Sequence, residues 1–389
     1  MTYALKKHYA LLIMYLDNAA TTKTNKNALA TFLEVSERLF FNCSSIYAKG
    51  GRDILENVRA IIATEIGAVA SEIYFTSGGT ESNNLAITGG VKNKNKSVVV
   101  SSGEHQSVYE CARSLVSKGY SVKFSPLESD TGACSDSFIK LATDNCGFVS
   151  LMHTSNETGV INNIGDIFTA IKNHDKNIIT HSDGVQSFLK TPVDVVSNNI
   201  DLYSISGHKI GAPKGIGALY IKKGLHINAQ MLGGSQEKNI RAGTENLPAI
   251  AALGVAIKEY KKQLNNLQLS TNFAPLRKTF IKELQNGGID FKINEAINLA
   301  NQQQNIISLS IKNIRAEVLQ RLLIDKHGIY IGLGSACAST KSGNRILQAA
   351  GLNKQDIASS IRISFGLQPF EKEVLEIAKL IVSVIKTFK

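Results

Sequence analysis

The feature that most constrains the fold is an alternation of short apolar runs with helical stretches between residues 72 and 221. Seven runs are typical of buried strands, at 72–76, 97–101, 121–125, 148–153, 178–183, 202–206 and 217–221. Helical stretches lie between most of them, at 81–88, 106–117, 135–143 and 164–173. This order predicts an α/β fold with βαβ units and a mostly parallel sheet. A ligand is then expected at the carboxyl edge of the sheet.

The pattern changes after about residue 245. Leu253, Ile257, Tyr260 and Leu264 recur at helical spacing and predict a long helix that leaves the sheet domain. Beyond it we expect a helix over 276–284, strands over 305–311 and 361–365, and a terminal helix. One apolar face of that terminal helix carries Val374, Ile377, Ile381, Val384 and Phe388. We therefore expect a large domain over 17–263 and a smaller α+β domain over 264–389, joined by the N-terminal segment 1–16.

Composition and charge exclude several classes of protein. Hydrophobic residues make up 43% of the 389 residues, enough for a large core and too many for a disordered chain. No apolar run is long enough to span a membrane, and we expect a cytoplasmic protein. Five irregularly spaced cysteines without a CxxC pattern argue against a disulfide framework and against a zinc site. The net charge of +11 comes from scattered lysines, which indicate a solvated surface rather than nucleic-acid binding.

Two glycines stand between a predicted strand and helix, in the segment Thr76-Ser77-Gly78-Gly79-Thr80-Glu81-Ser82. Such a turn lets backbone N–H groups approach an anion, and the start of the helix adds a favourable field. Gly79 and Thr80 are therefore candidates for a phosphate cradle. A helix cap with a glycine-rich turn explains the same residues equally well.

Three polar side chains follow predicted strands at the same edge. Lys209 can form a Schiff base, although an isolated lysine is usually solvated. Asp183 can hold the N–H of a pyridinium ring, or it can cap a helix. His105 can stack on an aromatic cofactor or shuttle protons, or it can be a structural histidine.

Two residues near the C-terminus complete the candidates. Cys337 lies among glycine, serine and alanine residues, where a thiolate can act as a nucleophile, whereas buried cysteines are usually inert. Arg362 lies within a strand-like run, where an arginine needs a partner. That partner is either a substrate carboxylate or an internal carboxylate in a salt bridge.

Taken together, these segments resemble those of the cysteine desulfurases of the NifS/IscS type, in the class-V aminotransferase group of pyridoxal-phosphate enzymes. The resemblance covers nearly the whole chain and rests on YLDNAATT (15–22), TSGGTESNN (76–84), EHQSV (104–108), MHTSNETGV (152–160), HSDGVQS (181–187), SGHKIGAPKGIGALY (206–220), IRAGTENLP (240–248), GSACAS (334–339) and SIRISFG (360–366). It implies fold type I, with a seven-stranded large domain, and release of L-alanine from L-cysteine with a persulfide left on Cys337.

The resemblance also implies the role of each site residue. Lys209 links the cofactor and moves protons, Asp183 holds the pyridine nitrogen, and His105 stacks on the ring. Gln186 contacts the phenolic oxygen. Thr80, Ser206 and His208 bind the phosphate, and Thr244 reaches the phosphate of the second subunit of a homodimer. Asn156 and Arg362 hold the substrate carboxylate. The persulfide passes to a sulfur-acceptor or scaffold protein for iron–sulfur cluster assembly or another thiolation, and a transient iron–sulfur link through Cys337 is compatible with this role.

The sequence departs from the family pattern in two places. Cys43 and Tyr47 replace a usual proline and histidine, and 341–344 replaces an acidic stretch containing proline. Two alternatives remain at this point, namely a selenocysteine lyase with nearly the same site, and a non-catalytic relative that binds nucleic acid or a partner protein.

Overall fold

The computed structural model describes residues 14–128, 136–266, 273–296, 298–334, 344–367 and 371–388. Cys134 and Cys337 lie outside these ranges. The described chain begins with a short strand, β1 (Met14–Leu16), which belongs to the smaller of two sheets.

The larger sheet has seven strands, as predicted. They are β2 (Ile73–Thr76), β3 (Ser97–Ser101), β4 (Val122–Ser125), β5 (Cys146–Ser150), β6 (Ile179–Asp183), β7 (Leu202–Ser206) and β8 (Gly217–Ile221). Their spatial order is β2–β8–β7–β6–β5–β3–β4. β8 runs antiparallel to both of its neighbours, β2 and β7, and the other four strand pairs are parallel. The mostly parallel sheet is therefore confirmed.

The run predicted as a strand over 148–153 starts and ends earlier than expected. β5 begins at Cys146 and stops at Ser150. The next residues leave the ladder only gradually, since Leu151 N–H donates to the His181 carbonyl and His153 N–H to the Asp183 carbonyl. The chain thus stays beside β6 until it reaches the edge where the polar residues gather.

Helices cover both faces of the large sheet. They are α1 (Lys26–Arg38), α2 (Lys49–Ile66), α3 (Gly79–Gly90), α4 (Gln106–Ser117), α5 (Asp136–Ala142), α6 (Ile164–His174) and α7 (Leu247–Asn266). Alternate side chains of β3 point to opposite faces. Val99 belongs to the core formed with α2, α6 and α7, whereas Val98 and Val100 belong to the core formed with α3 and α4. The result is a three-layer α/β/α domain.

The long helix α7 does not leave the sheet domain, and that expectation was wrong. Leu253, Ile257 and Leu264 are buried in the same core as Val99. The apolar stripe that predicted the helix is thus its contact with the large domain, and the chain departs only after the helix ends.

The smaller sheet joins the two ends of the chain. Its strands are β1, β9 (Phe291–Ile293), β10 (Ile306–Ile311), β11 (Ile329–Leu333) and β12 (Ser360–Ser364), in the order β1–β11–β12–β10–β9. β1 pairs in parallel with β11, so the first described strand pairs with a segment some 300 residues later. Arg362 lies on β12, opposite Gly332 of β11 and Ser308 of β10.

Helices pack against this sheet to form a second core. They are α8 (Ala274–Asn286), α9 (Ala316–His327), α10 (Arg345–Ala349), α11 (Lys354–Ala358) and α12 (Glu371–Lys386). The predicted apolar face of the terminal helix α12 is buried there at Val374, Ile377, Ile381 and Val384, together with Phe280 and Leu16. Phe388 was wrongly placed on that face, because the helix ends at Lys386 and the ring is 40% exposed.

None of the helices in the described ranges combines the length and apolar character that crossing a membrane requires.

Candidate active site

A cavity of about 460 Å³ opens where the carboxyl ends of the large sheet's parallel strands face β12 of the small sheet. Ten of the twelve predicted site residues line it: Gly79, Thr80, His105, Asn156, Asp183, Gln186, Ser206, His208, Lys209 and Arg362. Thr244 does not line it within the protomer, and Cys337 lies outside the described residues. Segments distant in sequence thus meet at the edge where the strand pattern predicted a ligand.

One end of the cavity presents hydrogen-bond donors at the start of α3. The helix begins at Gly79, so the N–H groups of its first turn have no partner within the helix. A Cβ on Gly79 would lie 2.6 Å from Val185 Cγ2, so only glycine fits this close approach. Thr80, Ser206 and His208 line the same cavity. This arrangement suits an anion the size of a phosphate.

His208 is held by the N-terminal segment. Its Nδ1 lies 3.0 Å from Thr21 Oγ1, and its carbonyl accepts from Thr22 N–H. Burial and the neighbouring Lys209 lower the pKa of His208 to about 4. The ring is therefore neutral at physiological pH, and it acts through hydrogen bonding rather than through charge.

Asp183 ends β6 and is fixed by two donors. Its Oδ1 accepts from Val185 N–H at 3.0 Å, and its Oδ2 accepts from Asn83 Nδ2 at 2.8 Å. The side chain is only 3% exposed. Both contacts leave the carboxylate facing the cavity, and it does not cap a helix as the alternative interpretation proposed.

Asn83 is a site residue that the sequence analysis missed. It lies three residues after Thr80 on α3, which places both side chains on the same helix face. Its Nδ2 also lies 2.9 Å from Ser107 Oγ, and its Oδ1 has no hydrogen-bond partner among the described residues. The i, i+3 spacing within TSGGTESNN was the signal that could have identified it.

His105 is both a helix cap and a wall of the cavity. Its Nδ1 accepts from Ser107 N–H at 3.2 Å at the start of α4 and lies 2.8 Å from Ser107 Oγ. Burial is the main reason why the pKa of His105 is lowered. The two interpretations made from the sequence are therefore compatible, because the cap orients a ring that still faces the cavity.

Lys209 follows β7, and its amine reaches the backbone of the N-terminal segment. Nζ donates to the carbonyls of Ala19 at 2.5 Å and Ala20 at 2.9 Å. Burial, and next the positive charge of Arg362, lower the pKa of Lys209 to about 8. Gln186 Nε2 donates to the same Ala19 carbonyl at 2.7 Å, so its amide is engaged by backbone in this structure.

Arg362 reaches from the small sheet into the cavity and forms the internal salt bridges of the second interpretation. One guanidinium nitrogen lies 2.8 Å from Asp17 Oδ1, and the other lies 2.9 Å from Glu157 Oε1. The second nitrogen also donates to the Asn156 carbonyl at 2.8 Å, while Asn156 Nδ2 donates to Glu157 at 2.8 Å. Asp17 and Glu157 were not predicted as site residues, although both lie in segments that carry the family resemblance, 15–22 and 152–160.

Close backbone approach brings Arg362 to this position. A Cβ on Gly332 of β11 would lie 2.6 Å from Asp17 Oδ1 and 3.0 Å from Arg362 Nε. Any larger residue at 332 would push this ion pair away from the strand. β11 also leads directly to the residues that contain Cys337.

Cysteines elsewhere in the described chain lie outside the cavity. Cys43, Cys111 and Cys146 are free and buried, and Cys146 is the first residue of β5. Burial raises the pKa of the Cys111 thiol to about 11, so this thiol stays protonated. None of these three matches the accessible, ionised thiol that a nucleophile requires.

Comparisons with known proteins agree with the site. Residues 14–377 match the family model described as aminotransferase class-V. The cysteine desulfurase IscS of Dictyoglomus turgidum is 35% identical over 387 residues, covering 96% of this chain and 95% of the relative. A solved NifS-like protein superposes with a TM-score of 0.85 and 29% identity, covering 97% of this chain and all of the other. A structure described as SspA in complex with cysteine has 30% identity and a TM-score of 0.78, covering 92% and 100%.

Proposed function

The chain belongs to the class-V aminotransferase family, in its cysteine desulfurase branch, and from this we propose that it moves the sulfur of L-cysteine to Cys337 with pyridoxal phosphate as cofactor. The observation that carries the proposal is one cavity that holds Lys209, Asp183 and Arg362 together. An amine, a ring-facing carboxylate and a guanidinium are the three groups that an amino-acid substrate and a pyridine cofactor require.

The residues present fit pyridoxal phosphate. The start of α3 and the close approach at Gly79 provide room and donors for the phosphate, with Thr80, Ser206 and His208 at the same end. The unpartnered Oδ1 of Asn83 and the buried carboxylate of Asp183 supply polar atoms deeper in the cavity. When bound, this cofactor supplies an aldehyde for an amine and a ring that withdraws electrons from the substrate.

Asp183 and His105 orient and tune the ring in this proposal. A carboxylate fixed by Asn83 and Val185 holds a proton on the pyridine nitrogen and stabilises its positive charge. His105, held by Ser107, would lie against one face of the ring. Gln186, whose amide donates to the Ala19 carbonyl in this structure, would donate to the phenolic oxygen instead.

Lys209 carries the cofactor and then transfers protons. Its lowered pKa of about 8 keeps much of the amine neutral near physiological pH, and only the neutral amine is a nucleophile. When it is not linked to the cofactor, the neutral Lys209 amine would take a proton from the substrate Cα. The same position lets it return a proton to the carbon skeleton that leaves as L-alanine.

Arg362 and Asn156 bind the substrate carboxylate. Arg362 is charged and buried at the cavity wall, and its planar guanidinium fits a carboxylate with two parallel hydrogen bonds.

Cys337 is the proposed sulfur acceptor within the chain. The described residues on either side of its segment support this, because Gly334 N–H donates to the Ser360 carbonyl at 2.9 Å and Asn344 lies beside Glu157 of the cavity. Its thiolate attacks the substrate sulfur, the carbon–sulfur bond breaks, and a persulfide forms. One cysteine and one enzyme thiol thus give one alanine and one persulfide, without an external oxidant.

A homodimer with shared sites is also proposed. Thr244 is exposed and does not line the cavity of its own protomer, as expected of a residue directed at a second subunit. Phe40, Phe41, Ile46 and Tyr47 form an exposed apolar patch, with Ile46 92% exposed, which favours an interface with another protein chain. The departures at 43 and 47 lie in or beside this patch.

The persulfide is proposed to pass to an acceptor or scaffold protein, for iron–sulfur cluster assembly or another thiolation. We further propose a cytoplasmic location, supported by three free thiols that suit a reducing compartment.

Mass spectrometry of the holoenzyme after addition of L-cysteine tests the function. We expect one extra sulfur on Cys337 and release of L-alanine. Cys337→Ser should keep the cofactor and lose the persulfide, Lys209→Ala should lose the covalent cofactor link and turnover, and Cys111→Ala is the matched control for removal of a thiol. Full desulfuration by Cys337→Ser would contradict the assignment of the nucleophile. Activity of Cys337→Ala on selenocysteine alone would favour the lyase alternative.

A further inference from the structure

Glu157 occupies the donors that the proposed function assigns to the substrate carboxylate. Its Oε1 accepts from Arg362 at 2.9 Å and from Asn156 Nδ2 at 2.8 Å. The residue is 8% exposed, so water cannot replace these contacts freely. A substrate carboxylate that binds Arg362 and Asn156 therefore meets a carboxylate of the protein already in its place.

Three polar atoms around this position have no hydrogen-bond partner in the described part of the chain. They are Arg362 Nε, Asn156 Oδ1 and Glu157 Oε2, all of them buried. Buried polar atoms are normally paired, so this cluster indicates a site completed by another molecule. Arg362 Nε is a donor suited to a second carboxylate, whereas Glu157 Oε2 accepts unless it carries a proton.

The charges around Glu157 do not balance once a substrate carboxylate arrives. The groups that face it are Arg362 from β12, Asp17 after β1, Lys209 after β7 and the neutral Asn344 before α10. Asp17 already shares the Arg362 guanidinium. Two carboxylates that share one site cannot both remain ionised without a large cost, and here a third would join them.

We propose that binding of the substrate carboxylate is coupled to the uptake of one proton by Glu157. The proton comes from solvent, Glu157 becomes a neutral carboxyl group, and no bond other than its O–H is made. The Arg362 guanidinium then pairs with the substrate carboxylate, and the new O–H at Glu157 Oε2 donates a hydrogen bond to the same carboxylate. Glu157 is thus a positioning residue, and this inference rests on the proposed function of Arg362 and Asn156.

The protonation tendency of Glu157 agrees with this geometry. Burial raises the pKa of its carboxyl, and the Arg362 charge, followed by a hydrogen bond with the Asn344 side chain, opposes that effect. A substrate carboxylate that pairs with Arg362 reduces the effect of the Arg362 charge on the pKa of Glu157. The pKa of Glu157 therefore rises further on binding, and affinity for a carboxylate falls as the pH rises through the interval between the free and bound values.

Calorimetric titration of the holoenzyme with 3-mercaptopropionate tests the coupling. This ligand has the carboxylate and thiol of the substrate but no amine, so it leaves the Lys209 link intact. Titration in two buffers of different ionisation enthalpy measures proton uptake directly. We expect up to one proton in the wild type, with affinity falling by as much as about tenfold per pH unit. In Glu157→Gln we expect no uptake and an affinity independent of pH.

Three further variants separate the possible outcomes. Asp17→Asn removes the other carboxylate on Arg362 and should reduce the proton uptake without abolishing it, because Glu157 remains while one source of the charge imbalance is lost. Glu110→Gln, an exposed carboxylate on α4, should keep the full uptake and is the matched control for loss of charge. Two results overturn this inference alone. In the first, the wild type binds the ligand without proton uptake, although Arg362→Gln abolishes binding. In the second, proton uptake is the same in Glu157→Gln as in the wild type. Absence of binding, or binding indifferent to Arg362→Gln, overturns the carboxylate assignment and the inference with it.

Discussion

The lowered pKa of Lys209 predicts how fast the apoprotein takes up its cofactor. An ordinary lysine has a pKa near 10.5, and burial with the Arg362 charge brings that of Lys209 to about 8. At pH 8 about half of the Lys209 amines are then neutral, against roughly 0.3% for an unperturbed lysine. The structure thus gives a gain of about 150-fold in the reactive form.

Replacing Arg362 with glutamine should undo part of this gain. The substitution removes the second largest cause of the low pKa and leaves the carboxylates of Asp17 and Glu157 to face the Lys209 ammonium. Both changes favour the charged amine. We expect the pKa of Lys209 to rise by on the order of one unit, the size of shift that a nearby charge produces.

The assay is the rate of covalent attachment of pyridoxal phosphate to apoprotein, followed by visible absorbance. The pH runs from about 6.5, below the lowered pKa of Lys209, to about 10.5, the pKa of an ordinary lysine. We expect the wild-type rate to rise through pH about 8 and then level off. The Arg362→Gln midpoint should lie higher, and Arg113→Gln, an exposed arginine on α4, should match the wild type. A wild-type midpoint near 10.5 would refute the effect of burial, and equal midpoints in wild type and Arg362→Gln would refute the electrostatic part.

Two further predictions concern the loop that carries Thr244. Glu237→Gln should lower the free energy of unfolding in urea by about 3 kcal/mol, because it leaves the buried Arg59 charge with only the exposed Glu56 as a carboxylate partner. Replacing both Arg59 and Glu237 with apolar residues should cost less, and an equal or larger loss would contradict this. Mixed dimers of Lys209→Ala and Thr244→Ala subunits should recover wild-type cofactor affinity at one site, since that site takes Lys209 and Thr244 from different chains. Affinity as weak as in the Thr244→Ala homodimer would place Thr244 in its own subunit's site.

The sequence predicted the large sheet well because its strands are buried on both faces. β3 and β7 coincide with their predicted bounds. In β3 a continuous apolar run ended by serines marks a strand buried on both faces. Helix α2 was not predicted, although Leu55, Val58, Ile62 and Ile66 recur at helical spacing and are all buried. This apolar stripe would have allowed helix α2 to be predicted from the sequence.

Other elements could not be read from local sequence. β1 has three residues and forms only because β11 provides its partner. No local propensity specifies a pairing across most of the chain. β9, also three residues long, depends in the same way on β10.

The site residues with distinctive chemistry were predicted from the sequence, whereas the residues that support them were not. Lys209, Asp183 and Arg362 are uncommon at strand ends or within strands, so the sequence marks them. Asn83 and Glu157 carry ordinary polar side chains, and their importance comes from what lies opposite in space. The role of Glu157 in particular depends on its ion pair with Arg362, which lies on the smaller sheet.

Parallel pairing of β1 with β11 has a consequence during synthesis. The ribosome makes the first of these strands early, but its partner emerges about 310 residues afterwards. At usual elongation rates the wait is roughly 15 to 60 s. Throughout that interval Asp17 lacks the guanidinium that later neutralises it, and the smaller core stays open to chaperones. The nascent polypeptide therefore completes this pocket only after Arg362, which follows β11 in the chain, has also been made.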